Sequence, residues 1–232
     1  MHTAEDVIRI VEPLLLPERL ERMRAVVQRR MKSIAVVTEA LYDAGNRAAI
    51  YRSAEAHGFL HVHVIRPEAA TKPRARAVSK GAEKWLHLQR HASAELGVSA
   101  LRACGYQVLV ADLRDAVPLS RVDLSAPTAL VFGNERDGIS PNMRALADGA
   151  FTIPMVGFVE SLNVSVAAAI TLAYARDRRE EALGGASSDL TPDEAQLLYA
   201  AYLMRAAPSA LRELHRWYGQ ELPWLAQLQP RP

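Results

Sequence analysis

The sequence predicts an α/β fold, a mostly parallel sheet covered by helices on both faces. Three observations lead there. Apolar runs such as residues 34–38 (IAVVT) and 129–132 (ALVF) are continuous, which suits strands buried on both sides. These runs alternate with helical segments, the order of a sheet joined by crossover helices. The 232 residues, 50% of them hydrophobic, suffice for one α/β core with small extensions.

Residues 3–11 read as a helix, with Thr3 as N-cap and Glu5 and Asp6 in the first turn. Pro13 stops it. Pro17 suits the start of a second helix running to about Met31. Its Leu20, Met23, Val26 and Val27 share one face and its arginines the other. Residues 34–38 are the first strand and 39–46 a loop, with Asp43, Gly45 and Asn46 as turn formers. A helix over 47–56 closes at His57 and Gly58. A strand over 61–65, a basic loop over 67–84 and a short strand over 85–88 follow. A helix over 93–104 ends at Gly105. Strands at 107–111 and 129–132 lead to a turn at 133–138 and a helix over 141–147. The last strand, 151–153, ends at Pro154, and a long Ala-rich helix begins near Ser161. Residues 184–189 (GGASSD) form a linker. Residues 192–206 and 209–218 read as helices outside the sheet, the first opened by the capping pair Thr191 and Glu194. Three parts are expected: a basic helical arm (1–32), a central α/β domain (33–183) and a helical extension (184–232).

No apolar stretch of about eighteen residues is free of charge, so no membrane span is expected. The first residues lack the basic start and small-residue cleavage site of a signal peptide. The single cysteine, Cys104, allows no internal disulfide and reads as a small buried hydrophobe in a cytoplasmic protein. Net charge is only +2, but residues 17–32 hold six basic against two acidic residues, and 71–84 five against one. Arg19, Arg22, Arg29, Arg30, Lys80 and Lys84 in these clusters are candidates for a phosphate-binding footprint. The competing reading is an ordinary solvated face.

Residues 133–140 (GNERDGIS) have the glycine spacing of a phosphate loop, but Ile139 stands where a P-loop needs lysine, which argues against NTP binding. No G-x-G-x-x-G follows a strand, so the usual dinucleotide fingerprint and an ordinary Rossmann methyltransferase are disfavoured. His61 and His63 share a strand face; with no third ligand spaced to join them, they read as partly exposed histidines rather than a metal site. No G-x-S-x-G marks a serine hydrolase. Arg52 follows the largely apolar run 48–51 and needs a partner or a cleft; a salt bridge to Glu39 or Glu55 is the plain alternative. Ser161 is a natural N-cap with Asn163 in the first turn. With the apolar loop 155–159 and the small residues Ala167, Ala168 and Ala169, they suggest a ligand at a helix mouth, against an adenine-sized apolar wall.

Three of these segments, in this order, resemble the SpoU/TrmH group of the SPOUT superfamily, RNA ribose 2′-O-methyltransferases. Asn46 and Arg52, five residues between them, are similar to its first motif. Residues 130–138 (LVFGNERDG) are similar to the second, and Ile153-Pro-Met with Ser161-Leu-Asn163-Val-Ser165 to the third. The resemblance implies a deep C-terminal trefoil knot, a homodimer, and S-adenosylmethionine held by Leu130, Gly133, Gly138, Ile153, Met155, Ser161 and Leu162. It implies that Arg52 is catalytic and supported by Asn46. Glu135 would be the active-site carboxylate, and Ser161 and Asn163 would position the arginine and the RNA ribose. No metal is implied. Residues 79–85 (SKGAEKW) and the short arm look like the tRNA branch that modifies the D-loop guanosine at position 18. The same chemistry on rRNA is the alternative. A catalytically inactive knotted RNA-binding protein is disfavoured by the intact motif residues. Arg47 departs from the family, which commonly has a small or apolar residue there.

Overall fold

The computed structural model describes residues 3–66 and 81–207. In chain order the elements are α1 (Ala4–Val11), α2 (Pro17–Val27), β1 (Met31–Glu39), α3 (Ala44–Ala56), β2 (Phe59–Ile65), β3 (His87–His91) and α4 (Ala94–Ala103). There follow β4 (Gln107–Ala111), β5 (Val117–Pro118), β6 (Thr128–Phe132), α5 (Pro141–Leu146), β7 (Gly149–Thr152), α6 (Val164–Ala182) and α7 (Pro192–Ala206). The described residues fall into two compact units, one drawn from 3–32 and 187–207, the other from 33–66 and 81–186. The arm and the C-terminal extension, expected as separate segments, thus share one unit.

In that helical unit, Thr3 and Asp6 cap each other's backbone N–H groups at the start of α1. Thr191 and Glu194 do the same for α7. Val7, Val11, Met23, Val27, Leu198 and Tyr202 are buried. The Glu12 carboxylate accepts from Arg24 and from the Tyr199 hydroxyl at 2.6 Å. α2 ends at Val27 rather than near Met31, because Met31 is fully buried as the first residue of β1.

The second unit contains a seven-stranded sheet in the order β3-β2-β1-β6-β4-β7-β5. β1 and β4 flank β6 in parallel, with Val36 and Leu109 both level with Leu130. β7 is parallel to β4 and β5, and β3 is parallel to β2. Ala35, Val37, Val108, Val110, Ala129 and Val131 form one core with Val98 and Leu101 of α4 and Met143 of α5. By strand alternation Leu130 and Phe132 lie on the opposite face. α3 and α6 pack side by side. Near the end of α6 the buried Arg179 donates to Ser33 Oγ at 2.7 Å and to the Leu124 carbonyl at 3.2 Å, anchoring that helix.

Four details depart from the sequence expectation. α3 starts at Ala44 because Asp43 is its N-cap, accepting from Asn46 N at 2.7 Å; Gly45 and Asn46 are therefore in its first turn, not a loop. Residues 82–85 form a 3-10 turn and the strand lies at His87–His91, a little later than expected. β5 is only two residues long, too short to leave a periodic signal. α6 starts at Val164 with Asn163, not Ser161, as N-cap. Much of the expected basic loop (67–80) and the expected helix at 209–218 lie outside the described residues. Among those described, no helix is long and apolar enough to cross a membrane. Cys104 is half-buried, and burial pushes its thiol upward.

Candidate active site

A cavity of about 630 Å³ opens at the carboxyl ends of β4, β6 and β7, the end at which parallel α/β sheets bind ligands. Its lining comes from three chain segments after those strands and from the first turns of α6.

After β6 the chain makes a tight loop. Asn134 and Gly138 exchange backbone hydrogen bonds at 3.0 and 3.1 Å, and Asn134 Oδ1 accepts from the N–H groups of Arg136 and Asp137. Gly138 takes a φ of +67°, open to glycine at no steric cost. At Gly133 an added Cβ would stand 2.2 Å from the Gly138 carbonyl oxygen, so the loop closes only on glycine. Immediately beyond, Ser140 offers its N–H and hydroxyl to the buried Glu39 carboxylate at 3.0 and 2.6 Å, which fixes the start of α5.

The α6 mouth is built on Asn163. Its Oδ1 accepts from Ser165 N at 2.9 Å and Ser165 Oγ at 2.6 Å. That leaves Nδ2 to donate to Asn46 Oδ1 at 3.1 Å, and Asn46 Nδ2 in turn donates to Glu135 Oε1 at 2.8 Å. A relay from α6 through α3 to the β6 loop therefore joins residues of all three motifs: Glu135 and Asn163 line the cavity, and Asn46, outside the lining, bridges them.

Of the residues expected at a cofactor site, Gly133, Gly138, Ile153, Met155, Ser161 and Leu162 line the cavity, together with Glu135 and Asn163. Leu130 does not; it is fully buried in β6, two residues before Phe132, which is in the lining. The apolar loop 155–159 contributes only Met155, while Val156 and Phe158 are fully exposed. The cavity's apolar lining also includes Leu113, Ile153, Leu162 and two buried phenylalanines, Phe132 and Phe151, edge to face with centroids 6.4 Å apart.

Arg52 lies outside the lining. It sits six residues beyond Asn46, about 9 Å along α3 and about 120° around it. It is exposed, and neither Glu39 nor any other described carboxylate pairs with it. Arg19, Arg22, Arg29 and Lys84 are exposed too, and Lys80 lies outside the described residues. Arg30 cannot serve as a surface cation: it is 1% exposed, with its guanidinium 5.6 Å from the centre of the Tyr202 ring.

Sequence reasoning missed Asp112, Leu113 and Arg114, Thr152 and Thr171, all in the lining, whereas Ala167, expected beside the helix mouth, does line it. The first three follow β4 directly, so the position after a parallel strand was the available signal. It also missed the partners of His61 and His63. Both are buried rather than partly exposed; His61 Nδ1 lies 3.2 Å from His87 Nδ1, and His63 Nδ1 3.0 Å from His91 Nε2. Parallel registration of β2 with β3 sets His87 opposite His61 and His91 opposite Ile65, which spacing within one strand cannot reveal. No group of three or more metal-ligating side chains occurs among the described residues.

These features define an α/β domain that offers a nucleoside-sized ligand a part-apolar cavity, with a carboxylate–carboxamide relay two of whose members line it. The chain belongs to the SpoU rRNA Methylase family, whose sequence profile matches residues 33–173. It is 39% identical over 165 residues to the tRNA (guanosine(18)-2′-O)-methyltransferase of Thermus thermophilus, covering 71% of this chain and 84% of that one. Its fold is similar to the TrmH/SpoU tRNA modifying enzyme of A. aeolicus, with a TM-score of 0.71 and 32% identity over 80% of this chain and 95% of that one. It is also similar to the SpoU methyltransferase AviRb of Streptomyces viridochromogenes in complex with AdoMet. There the TM-score is 0.57 and the identity 30%, over 66% of this chain and 62% of that one.

The residues present fit such a cofactor. The volume lies within the usual range for small-ligand sites. Gly133 and Gly138, the two glycines of the tight loop, both face it. The buried Thr171 hydroxyl, in the lining, has no partner of its own.

Proposed function

We propose that this protein transfers a methyl group from S-adenosylmethionine to the ribose 2′-hydroxyl of a tRNA, at the D-loop guanosine 18. The observation that carries the reading is the Glu135–Asn46–Asn163 relay, whose two end members line the cavity. The named activity of the Thermus relative, most of whose length this chain spans, supports the substrate.

Bound in the cavity, S-adenosylmethionine supplies the electrophilic methyl on its sulfonium. Gly133, Gly138, Ile153, Met155, Ser161 and Leu162 hold it there, with Phe132 and Phe151 in the apolar lining. The relay presents fixed polar groups to the ribose. Arg52 remains protonated throughout and so is not the base. As an exposed guanidinium without a competing carboxylate, it grips the neighbouring RNA phosphate through two N–H donors. It thereby orients that phosphate to take the 2′-proton and stabilises the developing charge.

Two further parts of the reading concern assembly. The protein works as a homodimer, supported by the exposed Val156, Phe158, Val159, Val166 and Ile170 of the 155–159 loop and α6. Its C-terminal segment forms the trefoil threading of the superfamily, supported by the strand order with β6 between β1 and β4. Arg19, Arg22, Arg29 and Lys84 contact RNA phosphates, supported by their exposure.

The test is transfer of a tritiated methyl group to total tRNA and to rRNA, followed by mapping of the modified nucleotide. Label at guanosine 18 of tRNA is the expected result. Label confined to rRNA would replace the substrate, and no transfer to either would remove the enzyme reading.

A further inference from the structure

We infer that Thr171 recognises the cofactor, its hydroxyl hydrogen-bonding a polar edge of the nucleoside in the cavity. This rests on the cofactor reading above. Thr171 lines the cavity, is 0% exposed, and its Oγ1 has no hydrogen-bond partner. Threonine within a helix ordinarily returns its hydroxyl to the carbonyl four residues back. Here that bond is not made. Buried hydroxyls are almost always paired, because an unpaired one loses its hydration without recompense. A buried, unpaired hydroxyl on a residue that lines a cavity is therefore a group whose partner arrives with the ligand.

The register of α6 supports the assignment. Asn163, Ala167 and Thr171 recur at four-residue steps, which keeps them on one side of the helix, and all three line the cavity. That face is polar at the mouth, small in the middle and polar again about 12 Å along the axis. Ala167 leaves room for a flat ring, and a cofactor with polar groups at both ends matches the spacing.

The experiment uses the full chain and two substitutions. Thr171→Val replaces the hydroxyl by a methyl of similar size, and Thr171→Ser keeps the hydroxyl. Thermal melts of the ligand-free proteins are compared, and S-adenosylmethionine is titrated calorimetrically. We expect ligand-free Thr171→Val to melt at or above the wild-type temperature, since an unpaired buried group has gone. We expect it to bind S-adenosylmethionine about 3- to 10-fold more weakly, the worth of one net hydrogen bond. Thr171→Ser should bind within about twofold of wild type. Wild-type affinity in Thr171→Val overturns the inference. So does a lower ligand-free melting temperature, which would mean that the hydroxyl is satisfied inside the free protein. Equal weakening in Thr171→Ser would trace the loss to the methyl group and overturn it as well. If the wild-type protein itself fails to bind, the cofactor reading falls and this inference with it; wild-type binding with an indifferent Thr171→Val sinks this inference alone.

Discussion

Asn46 donates its Nδ2 hydrogen to Glu135 Oε1 at 2.8 Å, linking α3 to the β6 loop across 89 residues of sequence. The direction of that bond is dictated from α6. Asn163 spends its oxygen capping the helix, so its amide nitrogen faces Asn46; Asn46 must then accept with its oxygen and donate to the carboxylate. Asn46→Asp removes the donor and sets two carboxylates together. We expect turnover of tRNA to fall about 100-fold, the scale of a misplaced reacting group, with S-adenosylmethionine affinity nearly unchanged. Steady-state methyl transfer with a parallel binding titration checks this; a loss of cofactor affinity as large as the loss of rate would relocate Asn46 to the cofactor site.

Arg52 stands apart from the relay and the cavity lining, so its substitution separates chemistry from cofactor binding. Arg52→Ala should reduce transfer by about 100- to 1,000-fold through lost charge stabilisation. Arg52→Lys should recover little, because a point charge cannot reproduce two parallel N–H donors. Near wild-type turnover in Arg52→Ala would refute the assignment.

Gly133 faces a carbonyl oxygen that an added Cβ would meet at 2.2 Å. Gly133→Ala must open the Asn134–Gly138 loop. The expected cost is about 1–3 kcal/mol in urea unfolding, the range for overpacked sites, together with loss of measurable S-adenosylmethionine binding. Unchanged affinity would mean that the loop does not touch the cofactor.

The basic residues of the arm separate by burial. Removing Arg19 or Arg22 should weaken tRNA binding and lower the slope of log affinity against log salt by about one unit each, with melting unchanged. Arg30→Ala should instead lower the melting temperature, because its guanidinium is buried against Tyr202. A salt slope insensitive to Arg19 and Arg22 would remove them from the RNA contact.

His63 supplies a pH dependence. Burial, then repulsion from His91 and His87, lowers it from 6.5 to about 3. The folded protein thus resists a proton that the unfolded chain accepts. The corresponding stability is complete above about pH 6.5 and is lost as pH falls toward 3. The slope is at most about 1.4 kcal/mol per pH unit for this group. Urea unfolding at about pH 7 and pH 5 should show the decline, and His63→Leu should flatten it. An equally steep decline in His63→Leu would assign the acid sensitivity to other groups.

Local chemistry made much of this legible beforehand. The apolar runs of β1 and β6, the cap at Thr191 and the turn glycines Gly105 and Gly138 depend on near neighbours in sequence, and the structure places them where pattern and propensity put them. The α6 cap shows the boundary of that method. Ser161 and Asn163 both have capping side chains, and only the fold, by holding Asn46 beside Asn163, makes one of them serve two partners.

The sequence by itself determined the strand-and-helix alternation, the three motif segments and the chemical types of the site residues. Each is written in short-range periodicity or in a local motif. Tertiary structure alone decided that Leu130 is core while Phe132 and Phe151 line the cavity, and that Arg30 is buried. It alone paired His63 with His91 and brought Asp112 and Thr171 to the same cavity. Those outcomes depend on which strands become neighbours and on which face each helix buries. Such contacts join residues far apart in the chain, and no local pattern records them.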